Sequence, residues 1–432
     1  MTVLRSRRGW LLAGCLGLVT AGWSQGVPSA MTGEMPTMDF ASASKQANLA
    51  VISFSSSSVF DDNFSNSASG HESGGQQSLD ATFAFQQTRR NVRWNLSYRP
   101  GLVVGAHSWL GNQFSQVLGT TFEVQPATRW SLKFRQDYSR TTDPFERLGE
   151  APLQPALSPL ERPNDVPVLP QLRRTASFTG AGVSYRFGRH LTAGLNGSYA
   201  LQNYSDYAGW TGALINSRTA TGNTYISQQV SRTYTTGVEY RVRSLTFPGY
   251  EMGARTHSIL SFHQFAVSAN SSVVVYGGPE FARTRGQMLI ARSTPAVSAS
   301  WSPAAGAIYT WSGIHNRLQT GYSRQISDGG GLQGVVRVNA GWLRLARQMG
   351  RRWAADLSSE LAQQTTLPGR TGERLRLLAA GGGFRRELVG NTSLRLSYDR
   401  MYQTGNALGY RPGNHNRVML SVEQSFTRPL GR

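Results

Sequence analysis

The chain has 432 residues, 39% of them hydrophobic, and carries 44 basic residues against 24 acidic ones, a formal charge of +20. Its mean hydropathy of −0.34 excludes a helical membrane bundle, because each spanning helix needs roughly 20 consecutive apolar residues. The basic excess is nearly all arginine, with Lys45 and Lys133 the only lysines. No helix-turn-helix, zinc-finger or RNP pattern accompanies it, so nucleic acid is excluded as a partner and anionic sugars or lipid headgroups are favoured.

The N-terminus reads as an export leader. Residues 1–24 contain Arg5, Arg7 and Arg8, an apolar core from Trp10 to Ala21 and small residues up to Ser24, the order of a secretory signal peptide. Two other readings share these residues. Leu12-Ala13-Gly14-Cys15 has the form of a lipoprotein processing box, and Ser6-Arg7-Arg8-Gly9-Trp10-Leu11 that of a twin-arginine signal. The apolar stretch continuing past Cys15 opposes the first, and the need of a barrel to stay unfolded until insertion opposes the second. Cys15 is the single cysteine, so the mature chain is expected to have no disulfide and no thiolate metal site. Residues 25–47, with Pro28 and Pro36, form a polar linker too short for a plug domain.

From residue 48 to 426 the apolar residues recur with a period of two. In 91–99, Val92, Trp94, Leu96 and Tyr98 alternate with Arg93, Asn95, Ser97 and Arg99. In 129–139, Trp130, Leu132, Phe134 and Tyr138 alternate with Arg129, Lys133, Arg135 and Asp137. Strands that put one face in lipid and the other in a wet interior look like this. The segments assemble into an all-β, transmembrane, antiparallel up-and-down β-barrel of about 18 strands, an even number as in single-chain bacterial barrels. A soluble β-sandwich array also alternates, but it does not account for the long run of paired hairpins.

The connections alternate as such a meander requires. Short ones fall near Thr88–Arg90, Gln125–Thr128, Gly188–Arg189, Arg232, Ala269–Asn270, Gln348–Gly350 and Leu388–Gly390, with longer ones between them, including 247–255 and 327–332. Pro303–Ile314 breaks the pattern: a short turn belongs there, and the stretch reads as a connection of about a dozen residues that folds inward or marks a different strand count. The longest connection, Thr141 to Arg173, is proline-rich, with Pro144, Pro152 and Pro170 among others. Proline denies strand pairing, so this loop narrows the pore, caps its mouth, or is simply a solvated extracellular loop, the last reading being at least as well supported as the others.

Two-residue alternation places Arg93, Arg99, Arg129, Arg135, Arg317, Arg337, Arg374, Arg376, Arg395 and Arg417 on the inner face, with Asp137, Asp356, Glu360, Asp399 and Glu423. Guanidinium groups on a wet wall attract carboxylated or phosphorylated solutes; paired with carboxylates across strands they brace the wall instead. Arg344 falls on the nominal lipid face of Gly334–Arg347. Trp109, Trp130, Tyr138, Tyr204 and Trp342 fit the aromatic girdles at the membrane interfaces.

No catalytic constellation emerges. The seven histidines are scattered, no His-Glu-x-x-His spacing occurs, and His71-Glu72 lacks the second histidine. His107-Ser108 and His257-Ser258 are neighbours on strands and so point to opposite faces. Gly329–Gly331 and Gly381–Gly383 precede no helix and read as loop and bend glycines. No cofactor and no metal site is expected; Asp61-Asp62-Asn63 reads as a polar turn, with a calcium site the alternative. From Val418 the final strand sets Val418, Leu420, Val422 and Phe426 against Arg417, Ser421, Glu423 and Ser425, with residues 427–432 left as a tail.

Ser58-Val59-Phe60-Asp61-Asp62-Asn63 resembles the aromatic-Asp-Asn segment that opens outer-membrane barrels associated with exopolysaccharide production and export. Thr256-His257-Ser258-Ile259-Leu260, Gly277-Gly278-Pro279-Glu280, Gly321-Tyr322-Ser323-Arg324 and Gly341-Trp342 are similar to segments of other large Gram-negative barrels. The resemblance implies a barrel of this type and a link to polysaccharide, and it carries over no site residues. The expected function is a porin-like channel for anionic solutes or polysaccharide in the cell outer membrane. The alternative is a non-conducting structural barrel whose loops bind a partner at the surface. Expected partners are the lipid bilayer and lipopolysaccharide, the barrel-assembly machinery and an anionic saccharide.

Overall fold

The computed structural model describes residues 48–63, 73–105, 112–141, 173–204, 215–250, 252–286, 297–331, 334–367, 374–405 and 413–430. The leader and linker of residues 1–47, the 142–172 part of the long proline-rich loop, His71-Glu72, His107-Ser108 and Trp109 lie outside them.

Eighteen strands follow one another: β1 (Asn48–Asp61), β2 (Gly74–Arg89), β3 (Val92–Gly105), β4 (Gln113–Ala127), β5 (Trp130–Thr141), β6 (Arg174–Phe187), β7 (Leu191–Tyr204), β8 (Ser217–Gln229), β9 (Tyr234–Phe247), β10 (Met252–Ser268), β11 (Ser271–Arg285), β12 (Val297–Ser312), β13 (Asn316–Ser327), β14 (Val336–Gln348), β15 (Trp353–Thr366), β16 (Arg374–Glu387), β17 (Thr392–Gly405) and β18 (Gly413–Pro429). Each pairs antiparallel with its neighbours in sequence, and β1 pairs with β18 from Leu49↔Pro429 to Asp61↔Arg417, so the sheet closes on itself. Closure removes the exposed edges that a flat sheet would present. The last strand runs to Pro429, past the expected boundary at 426.

The period of two is realised as two surfaces. Phe54, Phe83, Trp94, Phe134, Leu195 and Leu420 are all exposed on the outside. Ser53, Arg135 and Asn196, each next to one of these in sequence, are buried on the inside, as is Arg417 three residues before Leu420. Trp130, Tyr185 and Phe187 form an outer aromatic cluster beside a short turn, with centroids 4.8 and 4.6 Å apart, as an interfacial girdle requires. A closed antiparallel cylinder with an apolar outer band is how strands cross a bilayer with every backbone group paired. The barrel is therefore an outer-membrane protein.

Inward aromatics lie against glycines of the adjacent strand. Tyr225 covers Gly194, Phe262 covers Gly237, Tyr276 covers Gly306 and Trp342 covers Gly321, and a Cβ at any of these glycines would collide with the ring. The missing side chain makes room for the ring and lets the strands coil.

This packing corrects several expectations. Trp342 is buried inside over Gly321 rather than in a girdle, which turns Leu343 and Leu345 outward and puts Arg344 on the inner face. Tyr204 also turns inward, its hydroxyl donating to Gly330 O at 2.7 Å. Pro303–Ile314 is no connection: β12 runs through Pro303 to Ser312, and only Gly313–His315 turn before β13. The connection expected over 247–255 is shorter, with β9 running to Phe247, a turn at 248–250 and β10 starting at Met252; Tyr250 N–H donates to Phe247 O at 3.1 Å and Gly249 has φ 85°.

Candidate functional site

The inner wall is built from charge pairs placed by strand register. Arg135 and Asp137 are two residues apart on β5 and so share its inner face, where they meet at 2.6 Å. The Arg135 guanidinium also lies 5.1 Å from the ring centroid of Phe178 on β6. Arg395 on β17 reaches Asp356 on β15 at 3.1 Å, across the bare backbone of Gly383 on β16. Arg417 on β18 lies directly opposite Asp399 on β17, 3.2 Å away, with both side chains buried. Charge-assisted hydrogen bonds are short and directional, so these pairs fix the wall as well as charging it.

Of the arginines assigned to the lumen, Arg93, Arg99, Arg135, Arg317, Arg395 and Arg417 lie on inner faces. Arg93 is half-exposed near a short-turn end, 3.7 Å from Glu123 on β4. The other four are placed differently. Arg129 sits in the turn before β5, its carbonyl accepting from Arg186 N–H at 2.9 Å. Arg374 and Arg376 are exposed on the outside of β16, because Leu375, Leu377 and Ala379 turn inward to pack with Val336, Val338, Ala362 and Met401. The alternation there reads backwards from sequence, since this sector of the interior is apolar and its outer rim charged. Arg337 shares the face of β14 opposite to buried Val336 and Val338, the face of its rung partner Ile326 at the inturned end of β13, and lies within electrostatic reach of Glu280.

A different segment turns into the barrel among the described residues. Past Gln325 the end of β13 leaves the wall and turns into the barrel. Ile326 and Val335 pack on Leu245, Phe247, Ala254 and Ala282, residues of β9, β10 and β11 that face inward. Arg243 on β9 donates to Ile326 O. Ser217 Oγ on β8 donates to Asp328, which is buried, and Tyr204 on β7 holds Gly330 O. Gly329 and Gly330 adopt φ of 70° and 62°, where a side chain would be strained. The Asp-Gly-Gly-Gly string after a strand is the sequence signal for this inward turn.

Sequence reasoning also passed over Glu239 and Glu280. Glu239 pairs with Arg241 on β9, and Glu280 on β11 is within electrostatic reach of Arg243, Arg241 and Arg337. Each is buried, and the acids join β9, β11 and the inturned end of β13 into one charged cluster.

The opening motif has a structural role. Asn63 N–H caps Asp61 Oδ1 at 2.9 Å, Asp62 Oδ1 accepts from Asn416 N–H at 2.7 Å, and Asn63 Nδ2 donates to Asn414 O at 3.0 Å. Asp61-Asp62-Asn63 thus tie the end of β1 to the start of β18. Among the described residues no cluster of three or more His, Cys, Asp or Glu could hold a metal ion.

No family model and no curated protein matches the chain. Among solved structures, OpdQ of Pseudomonas aeruginosa is 11% identical, with a TM-score of 0.44, covering 88% of this chain and 99% of that one. OpdK of Pseudomonas aeruginosa, solved with vanillate, is 10% identical at a TM-score of 0.42, covering 88% and 99%. OccAB4 of Acinetobacter baumannii is 9% identical at 0.42, covering 89% and 100%.

Proposed function

We propose that the protein is a porin-like channel for small polar solutes, anionic sugars among them. The observation that carries this reading is the polarity of the inner face, where Arg135, Arg395 and Arg417 sit beside carboxylates on widely separated strands. A barrel of this size encloses a lumen, and fixed charges on its wall select among ions and charged sugars. The inturned β13–β14 connection narrows the passage, which favours small solutes over a polymer chain. Outside, Arg374, Arg376 and Arg400 are exposed towards the long-connection end of the barrel, where the phosphates of lipopolysaccharide would neutralise them.

Planar-bilayer recording of the purified barrel tests the proposal. Stable conductance with anion preference is expected, and Arg135→Glu with Arg395→Glu should reverse or abolish that preference. Electrical silence in the native protein would favour the other reading, a structural barrel with binding loops, for which the inturned connection and the buried inner side chains are the supporting observations.

A further inference from the structure

Four arginines stand on the outer surface of β8–β11 at the long-connection end of the barrel. Ala254, Thr256, Ala282 and Thr284 are buried inside, so Arg255 on β10 and Arg283 and Arg285 on β11 turn outward, where they are exposed. Buried Ser217 and Thr219 place Arg218 of β8 outward in the same way. Arg255 lies directly opposite Arg283 in the β10–β11 ladder, which brings their Cβ atoms to within roughly 5 Å. Arg285 follows Arg283 by two residues on that face. Its rung continues through Gly253 and Thr246 to Arg218, three strand spacings or roughly 14 Å away.

No carboxylate answers this charge on the outer face. Among the described residues of β8–β12 the only acids are Glu239 and Glu280, and both are buried inside. Like charges directly opposite one another destabilise a sheet, so the Arg255–Arg283 rung calls for an external anion. Its depth says which. Two residues further in along the strands, His257, Phe281 and Trp301 share one outward rung, with Phe281 and Trp301 5.0 Å apart and the Tyr240 hydroxyl 2.7 Å from His257 Nδ1. Such an aromatic row marks the membrane–water interface. The arginines just beyond it are level with the head groups of the outer leaflet, since long connections are extracellular. Beside them an open groove of about 350 Å³ is lined by Ala220, Gly222, Val242, Ser244 and Arg255. It descends from the Arg255–Ser244 rung to Val242, the rung partner of His257.

We infer that the outer rim of β8–β11 is a binding site for lipopolysaccharide. Arg255, Arg283 and Arg285 hold one phosphate of its acylated sugar, Arg218 holds a second, and the groove beside Arg255 takes an acyl chain. Guanidinium groups suit phosphate because they bond two oxygens at once. The site rests on the placement of the barrel in the outer membrane and not on conductance, and it is separate from Arg374, Arg376 and Arg400 on β16 and β17.

Native mass spectrometry of the purified barrel, refolded without lipopolysaccharide and kept in EDTA so that no divalent cation bridges phosphates, tests the inference. Bisphosphoryl lipid A, monophosphoryl lipid A, phosphatidylglycerol and inorganic phosphate are titrated separately. Bisphosphoryl lipid A should bind, and Arg255→Gln with Arg283→Gln should weaken its first binding event by about tenfold or more, as expected for lost charge-assisted hydrogen bonds. Arg218→Gln should weaken the bisphosphoryl form and leave the monophosphoryl form unchanged. Gly222→Leu, which fills the groove and keeps all four arginines, should also weaken lipid A. Phosphatidylglycerol and inorganic phosphate should bind more weakly and respond to none of these changes. Native lipid A affinity in the Arg255→Gln, Arg283→Gln variant or in Gly222→Leu, or phosphatidylglycerol binding as tightly as lipid A, would overturn the site. Each variant is first checked for the heat-modifiable gel band of a folded barrel, and removing like charges should not lower its conversion temperature in the lipid-free state.

Discussion

Asp61, the last residue of β1, and His415, near the start of β18, meet at 3.3 Å with both side chains buried, although 354 residues separate them. They stand where the cylinder closes, next to the Asp62–Asn416 and Asn63–Asn414 contacts. Removing one partner takes a buried hydrogen bond away from the other, at a cost of about 1–3 kcal/mol. Asp61→Ala and His415→Ala should each lower the temperature at which the folded gel band converts to the unfolded one. The double variant should lose less than the sum of the two, because the partners share one interaction.

Leu420 and Ser421 are neighbours on β18 that face opposite media, with Leu420 exposed outside and paired with Leu396. Leu420→Arg puts a charge in lipid and should cost about 2–4 kcal/mol if the site is near the midplane. Ser421→Arg puts the same charge on the inner face and should be far milder. Urea titration of the barrel in lipid vesicles compares them, and equal destabilisation would contradict the assignment of faces.

Asp137 neutralises Arg135 at 2.6 Å on the inner face of β5. Asp137→Asn keeps the shape and removes the negative charge, so the local field becomes more positive. Reversal potentials in a salt gradient should shift towards greater anion selectivity, opposite in sign to the shift from Arg135→Glu.

The inturned end of β13 is held by Ser217 on Asp328, Tyr204 on Gly330 and Arg243 on Ile326. Ser217→Ala with Tyr204→Phe removes two of these clasps without touching the outer surface. Larger or noisier single-channel conductance is expected, with unchanged heat stability to within roughly the cost of two ordinary hydrogen bonds. An identical conductance would remove this segment from the solute path.

The sequence alone determined the barrel, its strand number and most of its faces. The reason is physical: lipid outside and water inside impose a two-residue period that each strand must obey independently, so Trp94, Phe134 and Leu420 could be assigned outward and Arg135 and Arg417 inward from local pattern. Tertiary structure decided the rest. Leu375 and Leu377 turn inward only because neighbouring strands present Val338, Ala362 and Met401 to receive them, which sends Arg374 and Arg376 outside. Trp342 faces inward because Gly321, one strand away, leaves a space for its ring. The pairing of Asp61 with His415 and the opposition of Arg255 and Arg283 exist only in the register between strands, which no single segment encodes.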